Sequence, residues 1–324
     1  MVKLASAEMA EKKLATRAAF GATLAELAEE GVPVVAVDAD LTGSTTTKKF
    51  AAAAPENADK LFNCGIAEQN MIDVAAGLAL TGHVAYTGSF AVFGTGRAYD
   101  QIRNTVCYSN LDVKICPTHA GVSVGPDGGS HQMLEDVSLM RGLPNMRVLV
   151  PADYAAARAA IKLAAKTPGP VYVRMGRAAV PCVYDDDVEL ELGRAYVLRE
   201  GTDATVVACG VEIREALAAA DVLDEEGISI EVIDAFSVKP LDEDTITASV
   251  AKTGCCMVAE EHSVHGGLGS AVAECLARKN PAPCEFVGVQ DRFGKSGEFE
   301  ELLGYFNLDA AAIVEAVKRA MGRK

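Results

Sequence analysis

Paired cysteines are missing from this chain. Its nine cysteines are scattered and none stands in a CxxC pair, which argues against zinc or disulfide scaffolding and fits a reducing compartment. Also missing is an apolar run of about 18 residues, the length a membrane-spanning helix needs. The N-terminal MVKLASAEMAEKK has no apolar core of a secretory signal. Positive charge is in deficit, with 30 Lys and Arg against 45 Asp and Glu for a net charge of −15. That balance argues against nucleic acid or an anionic membrane as a main partner. Neither a short-period repeat nor a low-complexity segment is present, and no P-loop lysine–hydroxyl pair follows the HGGLGS turn at 265–270. What is left reads as a soluble cytoplasmic protein. Its 324 residues, half of them hydrophobic, give room for two cores.

Strand-like and helix-like segments alternate nearly throughout. VPVVAVDAD (32–40), 61–64, 83–87, 113–117, 147–150 and 171–174 read as strands, and 15–30, 68–81, 97–109 and 154–166 as helices. Apolar strands unbroken by polar residues predict an α/β fold with mostly parallel sheets covered on both faces by helices. Composition shifts at the acidic run DDDVELELG. The expected organisation is a first domain over 1–183, a linker over 184–196 and a second domain over 197–324. The second has strands at 204–208, 228–233, 255–259 and 284–289 and helices at 213–226, 267–278 and 310–321, the last docking on the sheet by one apolar face. HGGLGS (265–270) is not GxGxxG and predicts a tight strand-to-helix turn with close backbone packing.

In an open α/β sheet, ligands bind beyond the carboxyl ends of the strands, and the chemically distinctive residues cluster there. Asp38 and Asp40 end the first strand. Glu68 opens the helix after FNCG, where the positive helix end alone would favour an acid. In an apolar cleft the same acid could share a proton with a ligand nitrogen. Phe90 and Phe93 follow the third strand, His119 the fourth, and Arg174 and Arg177 the strand 171–173. HAGVSVGPDGGSHQ (119–132) is a long glycine-rich loop carrying His119, Asp127 and His131. Two histidines and an aspartate among small residues point to binding rather than decoration. Their spacing lacks the close-set pattern of zinc ligands, so no metal site is expected on this chain. Several chemical types at successive strand ends imply one polar cleft with an aromatic wall.

GIAEQN, TGSFAVF and DGGSHQ, in this order and spacing and supported by LATR and DADLTGS, resemble the thiamine diphosphate enzymes of the transketolase family. The resemblance covers almost the whole chain and implies a pyrimidine-binding domain followed by the family's C-terminal domain. It implies that Glu68 is the catalytic glutamate, bonding the aminopyrimidine ring nitrogen so that the imino tautomer can take the thiazolium proton. Phe90 and Phe93 would pack on the pyrimidine, and Asp40 would face the cofactor-binding partner domain. Arg17, Ser44 and Arg177 would bind sugar phosphate, and His119 and Asp127 would contact substrate hydroxyl and phosphate groups. His131 would lie close to the reactive carbon as a proton-transfer group.

Two departures stand out. A tyrosine beside the second phenylalanine in full-length members corresponds here to Gly96. The GDG motif, which with a later Asn holds magnesium and the diphosphate in the family's first domain, does not occur in this sequence. The resemblance therefore implies the C-terminal subunit of a split transketolase of the pentose phosphate pathway. A separate N-terminal subunit would hold Mg2+ and the diphosphate, with two copies of each chain in the assembly. The second domain is expected to serve association rather than chemistry. Alternatives are a deoxyxylulose-phosphate synthase-like subunit, which has arginine where THAGVSVG has His119, the β subunit of a 2-oxo acid dehydrogenase, and a non-catalytic regulatory subunit.

Overall fold

Two parallel sheets, each sandwiched between helices, organise the chain; the computed structural model describes residues 2–324. The strands of the first half are β1 (Lys13–Ala15), β2 (Val34–Asp38), β3 (Leu61–Asn63), β4 (Val84–Gly88), β5 (Val113–Ile115), β6 (Arg147–Leu149), β7 (Val171–Val173) and β8 (Ala179–Pro181). Those of the second are β9 (Tyr196–Arg199), β10 (Ala204–Ala208), β11 (Ile230–Asp234), β12 (Ser237–Lys239), β13 (Cys256–Ser263) and β14 (Cys284–Val289). The first sheet runs β12-β6-β7-β5-β4-β2-β3 and the second β14-β13-β10-β11-β9. All pairings are parallel except the edges, β12 on β6 and β9 on β11. β1 and β8 form a separate antiparallel ribbon.

The all-apolar strands follow from burial on both faces. Val34 and Ala36 enter one core, and Val35 and Val37 the other. Each core takes residues from both sheets, so packing is continuous between the halves. Tyr154–Lys166 starts where Asp153 accepts from Ala156 N at 2.8 Å, and Ala310–Met321 starts at the Asp309 cap. In that last helix Ile313, Val314 and Val317 are buried and Met321 half-buried, and it lies on β13 and β14 as its apolar face predicts.

Some elements depart from the sequence expectation. β12 comes from the second half of the chain but joins the first sheet. The segment 97–109, expected as one helix, is a short α-turn between π-helical stretches Val92–Arg97 and Ile102–Tyr108. Tyr184, Val188 and Leu190 in the acidic stretch are buried. HGGLGS forms the expected tight turn: Leu268 N and Gly269 N donate to the buried Glu260 carboxylate at 2.7 and 2.8 Å. A Cβ on Gly267 would collide with that carboxylate. No helix is long and apolar enough to cross a membrane among the described residues. The nine cysteines are free thiols.

Candidate active site

β2 pairs with β3 on one side and β4 on the other, so the connections leaving their carboxyl ends diverge and open a crevice. Glu68 enters this crevice at the start of the helix Glu68–Leu80, which follows β3. Ala67 supplies no side-chain cap, and the Glu68 side chain is only 3% exposed. Its hydrogen-bond partner is Arg97, whose Nη1 donates to Oε1 and Oε2 at 3.2 and 3.1 Å.

Beyond β4 and β5, Phe90 and Thr118 form a single parallel bridge. Thr118 N donates to Ser89 O at 2.9 Å and Ala91 N to Thr118 O at 2.8 Å. This extension places Phe90 against His119, their rings stacked with centroids 3.7 Å apart. Phe93 lies parallel to Phe90 at 6.2 Å. His131 meets Phe93 edge-on at 5.4 Å and Phe90 at 6.2 Å. The π-turn Val92–Arg97 brings Arg97 back over the Phe93 ring, 4.6 Å from its centre. Glu68, Arg97, Phe93, Phe90, His119 and His131 thus form one chain of contacts.

His119 is buried, with φ of 61°. Its Nδ1 lies 2.7 Å from Thr118 Oγ1. Burial first, then Arg17, Arg177 and His131 nearby, pull its pKa down to about 3, so the imidazole is neutral at pH 7. Arg17 and Arg177 mark a cationic edge. Arg17 Nη1 donates to Ser44 O at 2.8 Å, which unites that sequence-predicted pair, though through the serine carbonyl. Arg177 Nη1 donates to Val124 O at 3.0 Å. Burial, then the like charge of Arg177, lowers the pKa of Arg17, while the exposed Asp127 acts in the opposite sense. Asp40 is exposed and paired with Asn63, whose Oδ1 accepts from Asp40 N at 3.1 Å. Asp38 and Arg174 are internal struts. Asp38 accepts from Leu41 N and the Thr45 and Thr47 hydroxyls, and Arg174 Nε donates to Asp136 Oδ2 at 2.7 Å. No group of three His, Cys, Asp or Glu side chains poised for a metal ion occurs among the described residues.

Two contributions escaped the sequence reading. Arg97 gave no signal, because its partner Glu68 lies 29 residues away in the chain. Glu261 comes from the second domain, at the carboxyl end of β13, and an acid at a strand end was the signal that could have found it. The glycine-rich loop is partly ordered as a 3-10 turn, Val122–Asp127. Ser123 N donates to Glu261 Oε1, and Gly121, with φ of 80°, lies so close that a Cβ would enter the carboxylate. Burial pushes the Glu261 carboxyl up to about 7 despite Arg174 nearby. Gln132 Nε2 ties the loop to Val122 O at 3.0 Å and to Lys295 O of the second domain at 2.9 Å. The second domain, expected only to serve association, braces the loop that carries His119, Asp127 and His131.

A carboxylate, an aromatic wall and two arginines at the carboxyl edge of a parallel sheet define a ligand-binding α/β domain. Residues 12–183 match the transketolase pyrimidine-binding domain and residues 193–313 the transketolase C-terminal domain; the chain belongs to the transketolase family. It is 44% identical to a protein of Methanocaldococcus jannaschii described as a transketolase C-terminal section, over 95% of this chain and 96% of that one. It is 42% identical to a 6-deoxy-6-sulfo-D-fructose transketolase subunit of Clostridium sp. (strain MSTE9), over 93% and 92% of the two chains. Human transketolase is 37% identical over 94% of this chain, which spans 49% of the human protein. Among solved structures, a split-gene transketolase described as an inactive β4 tetramer superposes with a TM-score of 0.87 at 48% identity, over 96% of this chain and 99% of that one.

Proposed function

We propose that this chain is the C-terminal subunit of a two-subunit, thiamine diphosphate-dependent transketolase that moves a two-carbon ketol unit between sugar phosphates in the cytoplasm. The observation that carries this reading is the slot between Glu68 and Phe93. A flat guanidinium lies in it, 3.1 Å from the carboxylate and 4.6 Å from the ring centre. A slot that accepts a flat N–H donor between an acid and an aromatic face also suits an aminopyrimidine.

Thiamine diphosphate, when bound, supplies the carbon nucleophile and the electron sink. Glu68 would hold a proton shared with the pyrimidine ring nitrogen, while Phe90 and Phe93 pack against the ring. Neutral His119, with Nδ1 engaged by Thr118, keeps Nε2 for a substrate oxygen. His131, at the edge of both phenylalanines, would move a proton to or from a substrate oxygen. Arg17 and Arg177 offer planar donor forks to a phosphate, with Ser44 beside them and Asp127 taking a substrate hydroxyl. Asp40 faces the partner subunit, which would hold the diphosphate and Mg2+, as this sequence has no GDG.

Relatives named for 6-deoxy-6-sulfo-D-fructose and apulose-4-phosphate support a substrate ending in a tetrahedral oxyanion, which the two arginines suit. The neighbour described as an inactive tetramer of β chains supports self-association and dependence on a partner, with two copies of each chain in the active assembly. The test is to mix this chain with its N-terminal partner, thiamine diphosphate and Mg2+ and to assay ketol transfer. Glu68→Ala should lower kcat by roughly 10²–10⁴-fold, the range for a proton-transfer group. Full activity of Glu68→Ala would sink the assignment, and tight cofactor binding by this chain alone would contradict the divided site.

A further inference from the structure

Glu68 is buried, and in this structure Arg97 alone among the described residues hydrogen-bonds its carboxylate. A buried carboxylate without a partner is costly, so Arg97 stabilises the site as it stands. The Arg97 side chain is 52% exposed. Apart from Glu68 it makes no hydrogen bond among the described residues, and its guanidinium lies over the face of Phe93. It is therefore held from inside the site and open to solvent outside, an arrangement that lets the side chain swing away without breaking anything else. The preceding residue, Gly96, carries no side chain, and a Cβ there would meet nothing within 4 Å.

A guanidinium is flat, cationic and rich in N–H donors, and it binds carboxylates through those donors and aromatic rings through its face. Arg97 makes both contacts at once. These are the two surfaces that a pyrimidine ring sharing a proton with Glu68 must use, so ring and guanidinium compete for them. We infer that Arg97 is a displaceable counter-ion: it fills the pyrimidine place and neutralises Glu68 until the cofactor enters, and it leaves when the ring arrives. The inference rests on the proposed cofactor and adds a competitor built into the chain. Cofactor binding then includes the breaking of the Arg97–Glu68 pair, and the chain without cofactor is protected from carrying a bare buried acid.

Arg97→Met keeps a stem over Phe93 and removes the charge and the donors. In the complex of this chain with its N-terminal subunit and Mg2+, calorimetric titration of Arg97→Met with thiamine diphosphate should show about three- to tenfold tighter binding than the unaltered complex. That factor corresponds to a half-exposed ion pair. The Arg97→Met chain by itself should melt at a lower temperature than the unaltered chain, and adding Glu68→Gln should recover part of the loss. If Arg97→Met does not fold, Arg97→Lys carries the same test with a smaller tightening. Weaker cofactor binding in either variant would make Arg97 a cofactor ligand and overturn the inference. Unchanged affinity with unchanged melting would show the pair to be idle and overturn it equally. Failure of the parent reading looks different, because the unaltered complex itself would then show no binding of thiamine diphosphate.

Discussion

His119 shows how one residue's chemistry is set by its neighbours. Its ring is stacked on Phe90 and hidden from water, and two arginines and His131 face it. Protonation would place a cation in that setting, so the folded protein holds the pKa near 3 where the ordinary value is 6.5. Because the folded value is depressed, the unfolded chain binds the proton more readily as pH falls below 6.5, and stability is lost in that direction toward the folded value. Between pH 7 and pH 5 this group alone should remove about 1–2 kcal/mol. Urea titrations at the two pH values should show the loss in the unaltered chain and a smaller one in His119→Asn. Equal losses would mean that His119 does not set the acid limb. The sequence flagged His119 by its place in the loop. It could not give the charge state, which depends first on burial and then on Arg17 and Arg177 arriving from distant parts of the chain.

At the scale of elements, the loop from His119 to Gln132 was legible as glycine-rich and set beyond a strand end, but its bracing was not. Its order comes from Glu261 and from the Gln132–Lys295 contact, both supplied by the second domain. Replacing Glu261 by Ala removes the acceptor for Ser123 N, and an unmet buried donor costs roughly 1–3 kcal/mol. Amide exchange over residues 121–127 should rise by about tenfold or more in Glu261→Ala. Glu261→Gln, which keeps an acceptor oxygen, should recover most of the protection. Exchange confined to other segments would remove the bracing role. The segment 97–109 shows the other failure of pattern reading. Its apolar spacing suits a helix, yet the chain there runs through two π-helical stretches, and Arg97 meets Glu68 across 29 residues of sequence.

For the whole molecule, the joint between the halves is the main new feature. Asp153 caps the helix Tyr154–Lys166 and also accepts from Val183 N and Tyr184 N. Tyr184 OH donates to Asp234 Oδ2 at 2.6 Å, at the end of β11. Asp234 Oδ1 is buried without a partner. Burial, and then the charge of Asp153, outweigh the tyrosine bond and push the Asp234 carboxyl up to about 7 from an ordinary 3.8. For an acid with a raised folded value, the native state binds the proton more tightly, so the stabilising contribution is present at low pH. It is lost as pH rises through about 7. Asp234→Asn should therefore gain stability relative to the unaltered chain as pH rises from 5 to 8, by about 1–3 kcal/mol at the upper end. A gap between the two melting curves that stays constant with pH would remove Asp234 as the cause.

Sequence by itself determined the α/β class, most strands and long helices, the acid at Glu68, the aromatic pair and the polar loop. It could do so because burial on both sheet faces forces unbroken apolar strands, against which acids, aromatics and histidines at the strand ends stand out. Only the tertiary structure decided that β12 crosses to the first sheet, that Arg97 sits on Glu68, and that Glu261 braces the loop. Each of these joins residues far apart in sequence. Local pattern carries no record of such contacts, since they are selected by packing and by the need to pair buried charge.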